Sequence, residues 1–305
     1  MVKDKISVIM SVKDETKYLK SAIQSILTQT YGKFEFLIVN DYSSREVQKI
    51  LQFFKKKDKR IKVINNKKNL GLTKSLIKAI KKASGEYIAR LDSDDFSVKN
   101  RLQTQIEWFK KSSKRVLCGT NYFLINKKNA IKKKNVICGE KKIRKSIIYQ
   151  NCFIHSSAMF RHSVYKKVGG YNPNFKYSQD YELWSKLINQ GEIDNIKKRL
   201  TYLRDHKKSI SYLKNIDQVM YGIIVSCNNF HFSKQKRFFK VKKKIQENIN
   251  LIENKLFLRD FYNCILFLNR KKIEKKYYLK LSKLSYKSLL YCIKQPKAFV
   301  YNLFF

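Results

Sequence analysis

Proline is almost missing from this 305-residue chain: it holds two, with only nine glycines. That excludes a collagen-like or Pro/Gly low-complexity chain. Acidic residues are also scarce, 23 Asp and Glu against 67 Lys and Arg. No window approaches the roughly 18 consecutive apolar residues of a spanning helix, and the longest candidate, Val219 to Cys227, is about half that. The apolar run from Ile6 to Val12 is broken by Ser7 and Ser11 and soon meets Asp14 and Glu15. That is too short and too acidic for a secretory signal. Six cysteines, at 118, 138, 152, 227, 264 and 292, form no C-x-x-C pair. A zinc knuckle or dithiol redox motif is therefore not expected, and the thiols read as reduced and cytosolic. No G-x-x-x-x-G-K-[ST], G-x-G-x-x-G or G-x-S-x-G occurs, which argues against P-loop, dinucleotide and serine-hydrolase chemistry.

What is present is ample material for a core. Hydrophobic residues make up 43% of the chain and aromatics 13%, which excludes intrinsic disorder. The net charge of +44 favours an anionic partner: nucleic acid, an anionic membrane face or a phosphorylated substrate. Genome-wide base bias would give the same composition, so charge alone does not choose among them.

Two periods alternate over the first hundred residues. Ile6–Met10 reads as a strand covered on both faces. Tyr18, Leu19, Ala22, Ile23, Ile26 and Leu27 then recur at helical spacing, with Gly32 as a stop. Phe34–Val39, Ile61–Ile64 and Tyr87–Leu91 are further strands. Val47 to Phe54, Leu72–Ala83 and Arg101–Lys111 are helices. Strand–helix repetition at this spacing predicts a mixed, mostly parallel α/β sheet with helices on both faces. Ligands of such sheets collect at the carboxyl ends of the strands. The basic run from Asn126 to Asn135 predicts a surface hairpin or loop. Beyond residue 213 no strand alternation remains; residues 211–305 hold 20 Lys and Arg against 5 Asp and Glu, with dense aromatics. This predicts amphipathic helices with basic faces. The expected organisation is a unit over residues 1–212 and a basic, aromatic helical region over 213–305.

Two of the strands run into acids. Asp92-Ser93-Asp94-Asp95 follows an apolar strand. Three acids in four residues repel one another unless a cation or hydrogen bonds offset them. Carboxylates spaced D-x-D suit a divalent cation that also binds phosphate; alone, the tetrapeptide equally fits a solvated turn before Ser97. Asp41 follows Phe36-Leu37-Ile38-Val39. It suits the imide N–H of a uracil ring, or the cap of a helix opened by Ser43 and Ser44. Asp180 precedes a helix carrying Leu183, Trp184, Leu187 and Ile188. It suits a general base, or a first-turn acid favoured by the helix dipole. His155 stands beside Ser156 and Ser157, and His206 in Arg204-Asp205-His206 suits a phosphate contact, or an ordinary surface or satisfied core position.

In order, these segments resemble the inverting glycosyltransferases of family 2, over about residues 5–212. The pieces that carry the resemblance are SVIMSVKDETKYLKSAIQSILTQTYGKFEFLIVNDYSS, NLGLTKSLIKAIKKASGEYIARLDSDD, RLQTQ, HSSAMFRHSVYKKVGGYNPNF and SQDYELWSKL. The resemblance is greatest to members that build bacterial surface polysaccharides such as lipopolysaccharide or capsule. It implies a GT-A type nucleotide-diphospho-sugar transferase fold and an inverting hexosyl-type transfer. It implies a nucleotide-sugar donor, UDP-linked by preference, and a glycan or lipid-diphosphate-linked acceptor. Ser11, Glu15, Asp41, Asp92, Ser93, Arg204 and His206 match nucleotide-sugar-binding positions. Asp92, Asp94 and Asp95 match the metal site, for Mn²⁺ or Mg²⁺, and Asp180 matches the catalytic base. The chain departs from the usual pattern at Ser11 (for Pro), Lys13-Asp14 (for Tyr-Asn), Ile77 (for Asn), Asn100 (for Pro) and Gln179 (for Glu).

A transferase acting on lipid-linked acceptors works at the cytoplasmic membrane face. The 213–305 region is accordingly expected either to dock on that anionic surface, as a peripheral contact, or to pack as a helical subdomain. Three competing functions are open to a basic chain of this kind: a nucleic-acid-binding protein, a non-catalytic scaffold in polysaccharide assembly, or a phospho-group transferase on the same metal site. No recognised nucleic-acid-binding signature accompanies the charge, and Asp92, Asp94 and Asp180 speak against the scaffold. No nucleic-acid partner is expected.

Overall fold

A computed structural model of the chain describes residues 1–126, 130–147, 150–205, and residues 218, 221, 222 and 225. The elements run β1 (Val2–Val12), α1 (Leu19–Leu27), β2 (Phe34–Asn40), α2 (Arg45–Lys57), β3 (Ile61–Asn65), α3 (Leu72–Lys81), β4 (Gly85–Arg90), β5 (Phe96–Ser97) and α4 (Arg101–Lys110). There follow β6 (Arg115–Ile125), β7 (Ile131–Lys134), α5 (Glu140–Ser146), a 3₁₀ turn at His155–Ser157, β8 (Met159–Arg161), α6 (His162–Lys167), α7 (Gln179–Leu187) and β9 (Glu192–Arg204).

One sheet holds every strand, in the order β3-β2-β1-β4-β8-β6-β9-β5, with β7 beside β6. The first four of these are parallel. The second half is mixed: β8 is antiparallel to β4 and β6, β9 is parallel to β6, and β5 is antiparallel to β9. Apolar residues alternate between two cores because successive strand side chains point to opposite faces. Ile9, Leu37 and Val39 pack with Leu76, Phe160 and Trp184 on one face. Val8, Met10, Phe36 and Ile38 pack with Ile23, Leu51 and Phe109 on the other. Strands covered on both sides read as continuous apolar runs, and this is what made β1 and β2 visible in the sequence. The hairpin expected at 126–135 is β6–β7, with Ile125 opposite Ile131.

Beyond residue 205 the described residues Gln218, Tyr221, Gly222 and Val225 are helical. They pack on this same unit. Val225 is buried in the first core, and the Tyr221 ring lies 5.6 Å from Phe175 and 5.8 Å from Tyr177. Ser178 Oγ donates to the Gln218 carbonyl at 2.8 Å. The rest of the 213–305 region, with its expected membrane docking, lies outside the described residues. No helix among the described residues is long and apolar enough to cross a membrane. Cys118, Cys138 and Cys152 are free thiols.

The amino ends of the parallel strands are tied by one buried carboxylate. Glu35 accepts from Ser7 Oγ (2.7 Å), Ser84 N–H (2.7 Å), Ser84 Oγ (2.8 Å) and Lys62 Nζ (2.7 Å). Ser7 Oγ in turn accepts the Gly85 N–H at 2.9 Å. A Cβ on Gly85 would lie 2.7 Å from the Ser7 nitrogen and the Lys5 carbonyl, so only glycine fits there. Burial pushes the Glu35 pKa up, but these donors outweigh it and hold it at about 2, below its ordinary 4.5. A depressed folded pKa adds stability above the unfolded value, and that stability is lost as pH falls from 4.5 toward 2. With one donor, Lys62, half exposed, the contribution is on the order of 2 kcal/mol. Glu35→Gln should therefore lower urea-unfolding stability by about that much at pH 7. The gap between variant and wild type should shrink by pH 3; a gap independent of pH would show that the carboxylate charge is not what stabilises.

Candidate functional site

The opposite, carboxyl ends of β1, β2 and β4 open onto one edge of the sheet, where the loops carry most of the expected residues. Ser11 is buried near the end of β1, in register with Val39. Glu15 lies in the next loop, where its Oε1 accepts the Tyr18 N–H at 2.9 Å. It thus satisfies a donor at the start of α1 that no side chain of the N-cap itself serves.

Asp41 is buried directly after β2. Its Oδ1 accepts from Asn66 Nδ2 and the Leu70 N–H, both at 2.8 Å, and its Oδ2 accepts the Gly71 N–H at 2.8 Å. Gly71 has φ +81°, a backbone that glycine adopts without cost. The carboxylate therefore shapes the entry to α3. A carboxylate offers about four acceptor positions, so one remains for a ligand N–H.

β4 ends in Arg90, whose fully buried guanidinium is ion-paired with Asp92 Oδ1. The Asp92 side chain keeps 32% of its surface open. Burial opposes its ionisation, but Arg90 outweighs burial and holds its pKa below the usual carboxylate range. Ser93 and Asp94 are half-buried in the turn that follows. Asp95 is turned inward: Oδ1 accepts the Arg204 N–H at 2.9 Å, and Oδ2 lies 2.5 Å from Ser156 Oγ. Ser156 Oγ is also 2.7 Å from Asp92 Oδ2. One hydroxyl hydrogen cannot serve two carboxylates. Burial, then the charges of Asp94 and Asp92, raise the Asp95 pKa well above its ordinary value. A protonated Asp95 donating to Ser156, which donates to Asp92, satisfies all three groups.

Arg204 closes this corner. Its guanidinium lies 4.2 Å from the Tyr18 ring centroid and 5.5 Å from that of Phe96. Phe96 stacks on Tyr202 at 4.3 Å, and Tyr202 on Phe123 at 4.5 Å. A column of flat groups thus runs from β6 to the start of α1 and fixes the exit of the acidic turn. His206 lies outside the described residues.

Asp180 stands in the first turn of α7, and Asn151 Nδ2 donates to its Oδ2 at 2.7 Å. Burial raises its pKa above the ordinary value, and the negative charge of Asp92 adds to the shift. His155 Nε2 meets the Tyr171 hydroxyl at 2.9 Å. Burial, with Arg90 adding to it, drives the His155 pKa down to about 3, so the imidazole is neutral at pH 7. Burial likewise keeps Tyr171 protonated. Arg90, Asn151, His155, Ser156 and Tyr171 were given no role by the sequence. The one available signal was Arg90, a charge ending an apolar strand just ahead of three acids.

Among the described residues, no group of three or more His, Cys, Asp or Glu side chains forms a metal-holding cluster. Mg²⁺ and ions like it use one or two carboxylates and complete their shell with water and phosphate oxygens. The hard oxygen donors of Asp92 and Asp94 fit an ion of that kind.

A family model described as Glycosyl transferase family 2 matches residues 7–169, more than half of the chain. The chain belongs to glycosyltransferase family 2. It is 36% identical over 211 residues to the O-antigen biosynthesis glycosyltransferase WbnJ of Escherichia coli, covering 68% of this chain and 82% of WbnJ. It is 30% identical over 192 residues to the UDP-Glc:alpha-D-GlcNAc-diphosphoundecaprenol beta-1,3-glucosyltransferase WfgD of Escherichia coli, covering 63% of this chain and 72% of WfgD. The fold matches the mannosyltransferase PcManGT of Pyrobaculum calidifontis in complex with GDP-Man and Mn²⁺, with TM-score 0.57 and 12% identity, over 98% of this chain and 83% of that one. At that identity the likeness concerns the fold alone, a glycosyltransferase fold of the expected GT-A type. The family match spans Ser11 to Ser156 of the site and stops short of Asp180 and Arg204.

Proposed function

We propose that this glycosyltransferase transfers a sugar, with inversion, from a UDP-sugar to a hydroxyl of a glycan or lipid-diphosphate-linked acceptor in surface-polysaccharide synthesis. The observation that carries the reading is the carboxyl edge of the parallel strands, where the buried Asp41 follows β2 and the Asp92–Asp94 turn follows β4, in a family 2 chain. The names of WbnJ and WfgD support the polysaccharide and lipid-linked setting. WfgD and the PcManGT complex support a nucleotide-sugar donor.

In this reading Asp41 takes the imide N–H of the base at its remaining acceptor position, and Ser11, Glu15, Ser93, Arg204 and His206 line the donor. Asp94 with Asp92 would hold Mn²⁺ or Mg²⁺, which supplies positive charge against the diphosphate. Asp95, the third acid expected there, anchors the turn through Arg204 and Ser156. The acceptor oxygen attacks the anomeric carbon from the face opposite the diphosphate, the bond to the diphosphate oxygen breaks, and the acceptor proton passes to Asp180. One displacement inverts the configuration.

A thermal-shift panel of UDP, GDP, dTDP and CDP, each with and without Mn²⁺, tests this. A ligand at about 100 times its dissociation constant adds about 2.7 kcal/mol of stability. The expected result is stabilisation by UDP that requires the metal. No shift with any nucleotide, from a folded protein, would favour a non-catalytic scaffold instead.

A further inference from the structure

Tyr42 combines two features that rarely occur together. Its φ is +59°, in the left-handed region where a bulky side chain is a genuine outlier. The other described non-glycine residues with positive φ are Asp4, Asp14 and Ser178, all short polar side chains, and Asp visits this region more readily than a bulky residue does. Tyr42 is also 60% exposed, so burial of its ring does not offset the strain.

The backbone around it is fixed from both sides. Lys13 Nζ donates to the Tyr42 carbonyl at 3.0 Å. The Ser43 N–H donates to Asn40 Oδ1 at 2.9 Å, and Ser43 Oγ donates to the Val12 carbonyl at 3.1 Å. The Asp14 N–H donates to Ser43 Oγ at 3.2 Å, and the Ser44 N–H to Asp14 Oδ1 at 2.9 Å. Asp41, just before it, is locked by its three N–H donors. The loops after β1 and β2 thus hold an aromatic ring in solvent in a conformation it resists. Strain that the surroundings over-determine concentrates at ligand-binding positions.

Of the exposed large apolar side chains among the described residues, Phe53 lies on α2, Ile131 on β7, and Met1 and Val2 at the chain start. Tyr42 alone of these stands at the carboxyl ends of β1 and β2, next to the carboxylate proposed to take the base. We infer that the Tyr42 ring is a stacking platform for the nucleobase of the donor. Asp41 reads the edge of the base and Tyr42 covers its face. The inference rests on the proposed nucleotide-sugar donor and adds a residue to that site.

Calorimetric titration of the full chain with UDP, and separately with pyrophosphate, in the presence of Mn²⁺ tests it. Base–aromatic stacking corresponds to a loss of about fivefold or more when the ring is removed. Tyr42→Gly should weaken UDP by that factor and leave pyrophosphate unchanged, while raising the melting temperature because the strain is relieved. Tyr42→Asn, which tolerates the left-handed backbone without a ring, should weaken UDP equally, and this separates stacking from loop loosening. Tyr42→Phe, which keeps the ring, should restore the affinity. Unchanged UDP affinity in both Tyr42→Gly and Tyr42→Asn would overturn the stacking role while the donor reading stands. Equal losses for UDP and pyrophosphate would overturn it too, since the effect would then not reach the base. A wild-type chain that binds pyrophosphate but no nucleotide better would overturn the donor reading itself.

Discussion

Asp180→Asn should leave a folded protein that binds UDP normally and transfers sugar about a hundred- to ten-thousandfold more slowly, the range a positioned general base supplies. The substitution keeps the shape of the side chain and an oxygen for the Asn151 amide, which now donates at 2.7 Å. It removes the carboxylate proposed to take the acceptor proton. Folding should not suffer. Burial raises the Asp180 pKa, so the ionised form is disfavoured in the folded state, and a neutral isostere removes that penalty. The same shift fixes the direction of the pH dependence. With wild type, kcat/KM should rise with pH through a pKa above the ordinary 3.8, because only the ionised carboxylate accepts a proton. Steady-state rates with a hydroxyl acceptor, paired with UDP titration, check both parts. Normal turnover in a folded Asp180→Asn chain would remove Asp180 from the chemistry.

Asp94→Asn is expected to abolish the metal-dependent part of UDP stabilisation. At saturating ligand that is a loss of about 2.7 kcal/mol, with sugar transfer falling at least about a hundredfold. Asp94 is a cleaner probe than Asp92. Removing the Asp92 carboxylate takes the ion-pair partner from the buried Arg90 guanidinium. With the Asp92 side chain 32% exposed and Arg90 still bonded to the Ile9 and Leu91 carbonyls, the cost is below the about 3–5 kcal/mol of a fully buried pair, but lost binding would still be confounded with lost stability. The measurement is a melting curve with UDP, with Mn²⁺, and with both. A full metal-dependent shift in Asp94→Asn would move the cation away from this turn.

The parallel half of the fold was legible in the sequence for a simple reason. β1, β2 and β4 are buried on both faces, and α1, α2 and α3 each bury one stripe. Each therefore carries an uninterrupted apolar run or a 3.6-residue period. β9 was not legible. Its thirteen residues alternate poorly, Lys197, Lys198 and Arg199 interrupt it, and its pairing with β6 slips register at this point. α5 was hidden in the same way, with Ile143 its one buried residue. At the site, the strand-then-acid pattern placed Asp41 and Asp92 after β2 and β4, at the carboxyl edge of the parallel strands. Apart from Arg90, two residues from Asp92, the groups around them were not visible, because Ser156, His155 and Tyr171 meet partners 16 to 64 residues away in sequence. Asp95 shows the limit of reading a motif as a unit. Of three neighbouring acids, one faces inward and serves the fold.

The position of β9 in the sheet has a consequence for how the chain is made. β9 is the last described strand to leave the ribosome, yet it lies between β6 and β5. It covers one edge of β6 from Arg115 to Ile125, and it is the strand on which β5 pairs, Ser97 opposite Thr201. Contacts this far apart in sequence form late and slowly. Until residue 204 has emerged, the acidic turn has no Arg204 N–H for Asp95 and β6 presents an open edge to other chains. A nascent or truncated chain ending at residue 169, where the family match ends, is thus not a smaller transferase. It is an unfinished sheet, vulnerable to pairing with its neighbours, and the completion of the active-site turn and the closing of the sheet are one late event in the life of the polypeptide.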